Sequence, residues 1–260
     1  MRPAGAGRRR RALITAAFAG LALPLRVIRA QTWAIRVETS TPHRLPRAAV
    51  DDLEIELDSS DGDGPLDIAA LTLGTLEIPS GQLAAGDGMR LDGGSFTQAV
   101  AAGRYPVQVV VARYADDTER VAFAQVKFTD RAATRWTNAI FEGDDAAPLA
   151  EDELSGYEVE SGLGSLFEVQ ALRAYGQEFA QSPRLRQELE QVLRRNRRPS
   201  WSWAWVRTPV GSGILVSSGE GAGFYGSYWG QDASGAIVSL VTDFDLLDWA
   251  GLPEAEPVTA

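Results

Sequence analysis

Tyr105-Pro106-Val107-Gln108-Val109-Val110-Val111-Ala112-Arg113-Tyr114 is the stretch whose reading decides the fold. Val107, Val109 and Val111 recur at period two, and β-branched side chains suit a pleated surface. Val110 and Ala112 make the second face apolar too, which marks a strand covered on both sides. Asp116-Asp117 turns the chain, and Arg120 to Phe128 returns. The spacing predicts an antiparallel hairpin with a short loop.

Reading outward toward the N-terminus, Leu71 to Ile78 is a further strand, closed by Pro79-Ser80-Gly81. Trp33 to Val37 and Leu53 to Leu57 are strand-like, separated by irregular chain around Pro42 and Pro46. The polar turn Asp58 to Pro65 resembles a calcium loop, but its spacing is wrong and Ala69 stands where the twelfth-position acid belongs.

Toward the C-terminus, residues 142–156 read as an acidic loop and Tyr157 to Glu160 as a short strand. Ser165-Leu166-Phe167-Glu168 has the spacing of a capping box, which predicts a helix from there to about Phe179. Ser182-Pro183 opens a second helix, with Leu185, Leu189, Val192 and Leu193 on one stripe and an end near Asn196. Trp201, Trp203 and Trp205 alternate at strand spacing. Ile214 to Ser217, Phe224 to Trp229 and Ala236 to Thr242 are strands, the last two joined around Asp232 to Gly235. A short amphipathic end follows, Asp245 to Leu252. The fold class is therefore α+β: a largely antiparallel β-sheet or sandwich with a helical pair inserted in the C-terminal half.

The first 30 residues read differently. Arg8 to Arg11 precede an apolar run from Ala12 to Leu25, and Arg26 to Ala30 follow it. This is the order of an export signal, and the run is shorter than the roughly 20 residues that span a bilayer. Arg10-Arg11-Ala12-Leu13-Ile14 and the mildly hydrophobic Ala- and Gly-rich core point to a twin-arginine-type signal peptide over residues 1–30, with cleavage after Ala30. The expected mature domain is residues 31–260, periplasmic or secreted, and carries no membrane segment after cleavage.

Composition then excludes chemistries. The signal region holds seven arginines and no acid, so 18 basic and 35 acidic residues remain and the mature net charge is −17. Such a surface repels nucleic acid at long range. The chain has no cysteine and one histidine, His43, which lies between prolines. Thiolate, iron–sulfur and cysteine-zinc sites are thereby absent, and a serine triad has no well-placed base and no Gly-x-Ser-x-Gly elbow. No metal or cofactor is expected. Gly221-Ala222-Gly223-Phe224-Tyr225-Gly226 fits Gly-x-Gly-x-x-Gly, but it runs on into a strand, whereas a dinucleotide loop opens a helix.

In order, Leu76 to Gly81, Gly103 to Val107, Arg120 to Phe128, Val159 to Ser165, Ser218-Gly219, Gly223 to Tyr225, and Tyr228-Trp229-Gly230 through Val241 to Phe244 form a connected set of phrases. They resemble the bacterial family named domain of unknown function 4241, over about residues 71–247. The resemblance implies a family without an assigned activity. In its pattern the positions of Glu160, Glu168 and Ala222 tend to be aspartate, so Ala222 is a departure here.

Two functions remain open. One is a cofactor-free binding or interaction module for an unknown protein or small-molecule partner, using an exposed surface near Tyr225, Tyr228, Trp229 and Asp243. The other is a carboxylate-based hydrolase or calcium-dependent enzyme, built from Glu160, Asp232 and Asp243. It requires those acids to converge across a cleft.

Overall fold

The computed structural model describes residues 36–37, 57–58, 65–144 and 154–247. The signal region, His43 and most of the two N-terminal strand-like runs lie outside these residues, as does the Asp58 to Pro65 turn apart from Asp58 and Pro65.

Fourteen strands and two helices are described: β1 (Arg36–Val37), β2 (Leu57–Asp58), β3 (Pro65–Ile78), β4 (Leu83–Asp87), β5 (Gly94–Ser95), β6 (Gly103–Arg113), β7 (Glu119–Lys127), β8 (Arg135–Asn138), β9 (Gly156–Val159), β10 (Leu163–Glu168), α1 (Val169–Gln181), α2 (Pro183–Arg195), β11 (Trp203–Thr208), β12 (Gly211–Ser217), β13 (Gly223–Gln231) and β14 (Ile237–Asp243). One sheet runs β1-β11-β12-β10-β4-β5 and the other β2-β3-β6-β7-β14-β13-β8, with β9 pairing β13 off that path. All pairings are antiparallel.

The main core lies between the two sheets. Val107, Val109 and Val111 of β6 meet Trp203 and Trp205 of β11, Ile214 and Val216 of β12, and Leu166 of β10. The alternation of the tryptophans is thus genuine strand spacing, with Ala204 and Val206 on the opposite face. A bulge between Thr72 and Gly74 turns the Leu73 carbonyl toward the facing sheet, where the buried Trp205 indole N–H donates to it at 3.1 Å. That bond satisfies a ladder carbonyl that the bulge removes from pairing.

Helices α1 and α2 cover the outer face of the first sheet through Phe167, Tyr175, Leu189, Val206 and Leu215. Among the described residues, the outer face of the second sheet is covered only in part. Val110, Ala112, Phe123 and Val241 are buried there together with Leu246 and Leu247, beyond β14. The doubly apolar reading of β6 has this physical basis.

Three sequence expectations need correction. Residues 163–168 are strand β10, so α1 begins at Val169 and its cap is Glu168, not Ser165. The Glu168 carboxylate accepts from the Ala171 N–H at 2.8 Å and from the Ser80 hydroxyl, while the Ser165 hydroxyl donates to the Gly86 carbonyl at 2.9 Å. Pairing of β10 with both β4 and β12 overrides the local capping-box signature. The second correction is β3, which begins six residues before Leu71 because it pairs with the whole of β6. The third is β4, an inner strand the sequence reading passed over. α2 starts as expected, its Ser182 hydroxyl accepting from the Leu185 N–H at 3.2 Å with proline in the first turn.

Candidate functional site

β13 reads Gly-Phe-Tyr-Gly-Ser-Tyr-Trp-Gly-Gln, and strand geometry sends alternate side chains to opposite faces. Tyr225, Ser227 and Trp229 point inward. Tyr225 is 5% exposed, with its hydroxyl donating to the Gly221 carbonyl at 3.0 Å, and Trp229 is 1% exposed against Phe96 and Phe128. These two expected surface residues are therefore core, because they share the parity that packs between the sheets.

The outward parity carries Phe224, Gly226, Tyr228 and Gly230. Neighbouring strands add side chains to this face by register: Trp136 of β8 opposes Gly230, and Gly156 and Glu158 of β9 oppose Gly226 and Phe224. The glycines let these side chains lie directly on the backbone. A Cβ on Gly230 would sit 2.8 Å from the Trp136 ring, and one on Gly226 would sit 2.7 Å from Leu154 and 3.2 Å from the Tyr228 hydroxyl. Phe224 lies as close over Gly156.

Trp136, Leu154 and Phe224 are 46%, 39% and 56% exposed, and they are the exposed large hydrophobics among the described residues. All three fall on this one face, with Tyr228 half-buried between them. From Gly230 to Phe224 the strip runs roughly 20 Å along β13 at ordinary strand rise. Isolated exposed apolar residues are commonplace, whereas a contiguous set marks a contact surface.

The rim is acidic. Glu158 is exposed beside Phe224, and Asp243 and Asp245 stand near Tyr228. Burial pushes the Tyr228 hydroxyl above its ordinary pKa, and the two aspartate charges push it further the same way. Of the residues expected from sequence, Tyr228 and Asp243 thus belong to one surface. Trp136, Leu154 and Phe224 were not singled out. Their signal was present in the shared parity of Phe224 and Tyr228 with two glycines.

The second expected site does not assemble. The Glu160 carboxylate is 61% exposed and paired with Arg90 at 2.7 Å. Asp232 organises the β13–β14 turn: one oxygen accepts from the Ser234 hydroxyl and from the Ser234 and Ala236 amides, and the other meets Arg131. The Ser234 hydroxyl holds the Asp232 carboxyl below the usual range, and the backbone bonds and the Arg131 charge add to this. Since Ser227 opposes Thr242, Asp243 stands level with Gly226. Asp232 lies about six residues along the strand from that level, roughly 20 Å away.

The carboxylate with the densest donor set is one the sequence reading did not name. Asp87, 1% exposed at the end of β4, accepts from the N–H groups of Met89 and Arg90 with one oxygen and of Glu160 and Ser161 with the other. The Ser161 hydroxyl adds a fifth bond at 2.7 Å. Burial by itself would raise the Asp87 pKa, but these bonds outweigh it and hold the carboxyl below its ordinary value. Its role is to fasten the β9–β10 turn to β4. The Gly-x-Gly-x-x-Gly phrase runs into β13 without a helix, as expected, and cradles no phosphate at a helix start.

The family model described as protein of unknown function (DUF4241) matches residues 76–242. No curated protein and no solved structure matches the chain.

Proposed function

The chain belongs to the DUF4241 family, and from that premise we propose that it is an exported, cofactor-free binding module of the periplasm. Its binding face is the aromatic strip on the outside of β13. The partner is a cationic polypeptide segment that also carries apolar side chains.

The observation that carries this reading is the gathering of Trp136, Leu154 and Phe224 on one glycine-floored face, around Tyr228. Aromatic side chains give interfaces large contact area with few rotors to immobilise. The partner's charge follows from complementarity. Glu158, Asp243 and Asp245 rim the strip, and the chain from residue 31 onward carries a net charge of −17 from 18 basic and 35 acidic residues. Lysine or arginine heads would pair with that rim and lie over the exposed rings. Export rests on the arginine run and apolar stretch of residues 1–30.

The test is fluorescence anisotropy of the full-length chain with two labelled peptides, one alternating Lys and Leu and the other Glu and Leu. The Lys/Leu peptide binds in the micromolar range and weakens as salt rises from about 0.05 M to about 0.3 M, where the Debye length falls below ~10 Å. Equal binding of the acidic peptide, or no binding of either, refutes the assignment of the partner.

A further inference from the structure

A concave feature lies away from the β13 strip, where the end of α2 meets the β9–β10 turn and the β11–β12 hairpin. It encloses about 290 Å³ and is lined in part by Arg194, Arg197, Trp201, Ser202 and Ser217. That volume is near the lower end for small-molecule sites. We infer that this cleft is a binding site for a small oxyanion, a phosphate or a short carboxylate.

Among the polar groups that line it, Arg194, Arg197, Ser202 and Ser217 are donors with capacity to spare, whereas the Ser161 and Ser200 hydroxyls already donate to Asp87 and to the Glu119 carbonyl. Arg197 follows the Asn196 cap, so it lies beyond α2, and among the described residues it has no ion pair and no ring beneath it. Its neighbours differ: Arg198 lies over Trp203 at 5.4 Å, and Arg184 is paired with Glu188 at 2.7 Å. Arg194 reaches Glu190 only at 3.7 Å, and its side chain is 65% exposed. The Ser217 hydroxyl accepts from the Ser202 N–H at 2.9 Å, which leaves its own proton to donate. The Ser202 hydroxyl makes no protein bond among the described residues.

Charge balance of the helix does not account for this arrangement. Cations near a helix C-terminus offset its dipole, and Arg195 already stands in the last turn beside Arg194. Arg197, past the cap, adds a second guanidinium to the cleft. Guanidinium forks match carboxylate and phosphate oxygens two at a time. In a chain this acidic, two guanidiniums and two hydroxyl donors around one cleft form a local reversal of sign.

Isothermal titration of the full-length chain with inorganic phosphate, and separately with succinate, tests the inference and distinguishes the two oxyanions. At least one saturates at one-to-one stoichiometry with a Kd below about 1 mM. The Arg194→Ala/Arg197→Ala variant weakens it tenfold or more. Arg197→Lys keeps the charge but loses the fork, so it falls between wild type and the double variant. Ser202→Ala weakens binding severalfold and leaves the urea midpoint unchanged, which separates lost ligand contact from lost folding. Failure of both anions to saturate at tens of millimolar overturns the inference. So does a double variant that binds as tightly as wild type.

Discussion

Replacing Asp87 probes how the turn after β9 is held. In Asp87→Ala the N–H groups of Met89, Arg90, Glu160 and Ser161 lose their acceptor together, and the Ser161 hydroxyl loses its own. A hydrogen bond to a charged group contributes about 1.5–3 kcal/mol, and leaving a buried donor unpaired costs about 1–3 kcal/mol. Water reaches part of this turn and the losses are not additive, so the expected total is about 4 kcal/mol, in the range typical of a broken buried network. With a urea m-value of about 2 kcal/mol/M, the midpoint falls by about 2 M. Asp87→Asn follows closely, because its amide nitrogen would face N–H donors. The dependence on pH has a definite sign. The folded carboxyl titrates below its ordinary value of 3.8, so its contribution is present above that value and is lost as pH falls through the lower, folded pKa. The gap between wild type and Asp87→Asn therefore closes in acid. A midpoint shift below about 0.5 M near pH 7, worth only ~1 kcal/mol, refutes the claim that this carboxylate anchors the turn.

Other outcomes follow from the same structure. Trp205→Phe keeps most of the packing but removes the donor to the Leu73 carbonyl, and should lower stability by about 1–3 kcal/mol in urea unfolding. In ultraviolet titration the Tyr228 phenol ionises above its ordinary value of 10.0, and Asp243→Asn lowers its midpoint; the raised pKa favours the fold below about pH 10, and that advantage is lost as pH climbs toward the folded value. Arg10→Lys/Arg11→Lys should leave the chain in the cytoplasmic fraction, whereas unchanged periplasmic recovery contradicts a twin-arginine signal.

Much of the fold is legible in local pattern. The β6–β7 hairpin and the alternating tryptophans of β11 follow from period-two spacing, and α2 follows from its Ser-Pro start and apolar stripe. β4 was not legible, because Leu83-Ala84-Ala85-Gly86-Asp87 is small and buried on both faces, so no periodicity marks it. Asp87 was missed because several of its partners lie more than 70 residues on. Ser165 to Glu168 shows the opposite failure, a local capping-box signature overruled by the pairing of β10 on either side, which leaves Glu168 itself as the cap. On β13 the reading grouped Tyr228 with Tyr225 and Trp229, although adjacent residues of one strand face opposite ways. Parity alone separates the core set from the surface set. What it could not supply is Trp136 and Leu154, which reach the strip from other segments.

The measurement that tests the central claim most directly is the affinity of the Lys/Leu peptide for Trp136→Ala/Phe224→Ala. These side chains are about half exposed, so the variant should fold with a urea midpoint close to that of wild type. If the strip on β13 is the binding face, losing two aromatic anchors of about 1–2 kcal/mol each weakens the peptide by about one and a half to three orders of magnitude. A folded double variant that binds with unchanged affinity contradicts the account.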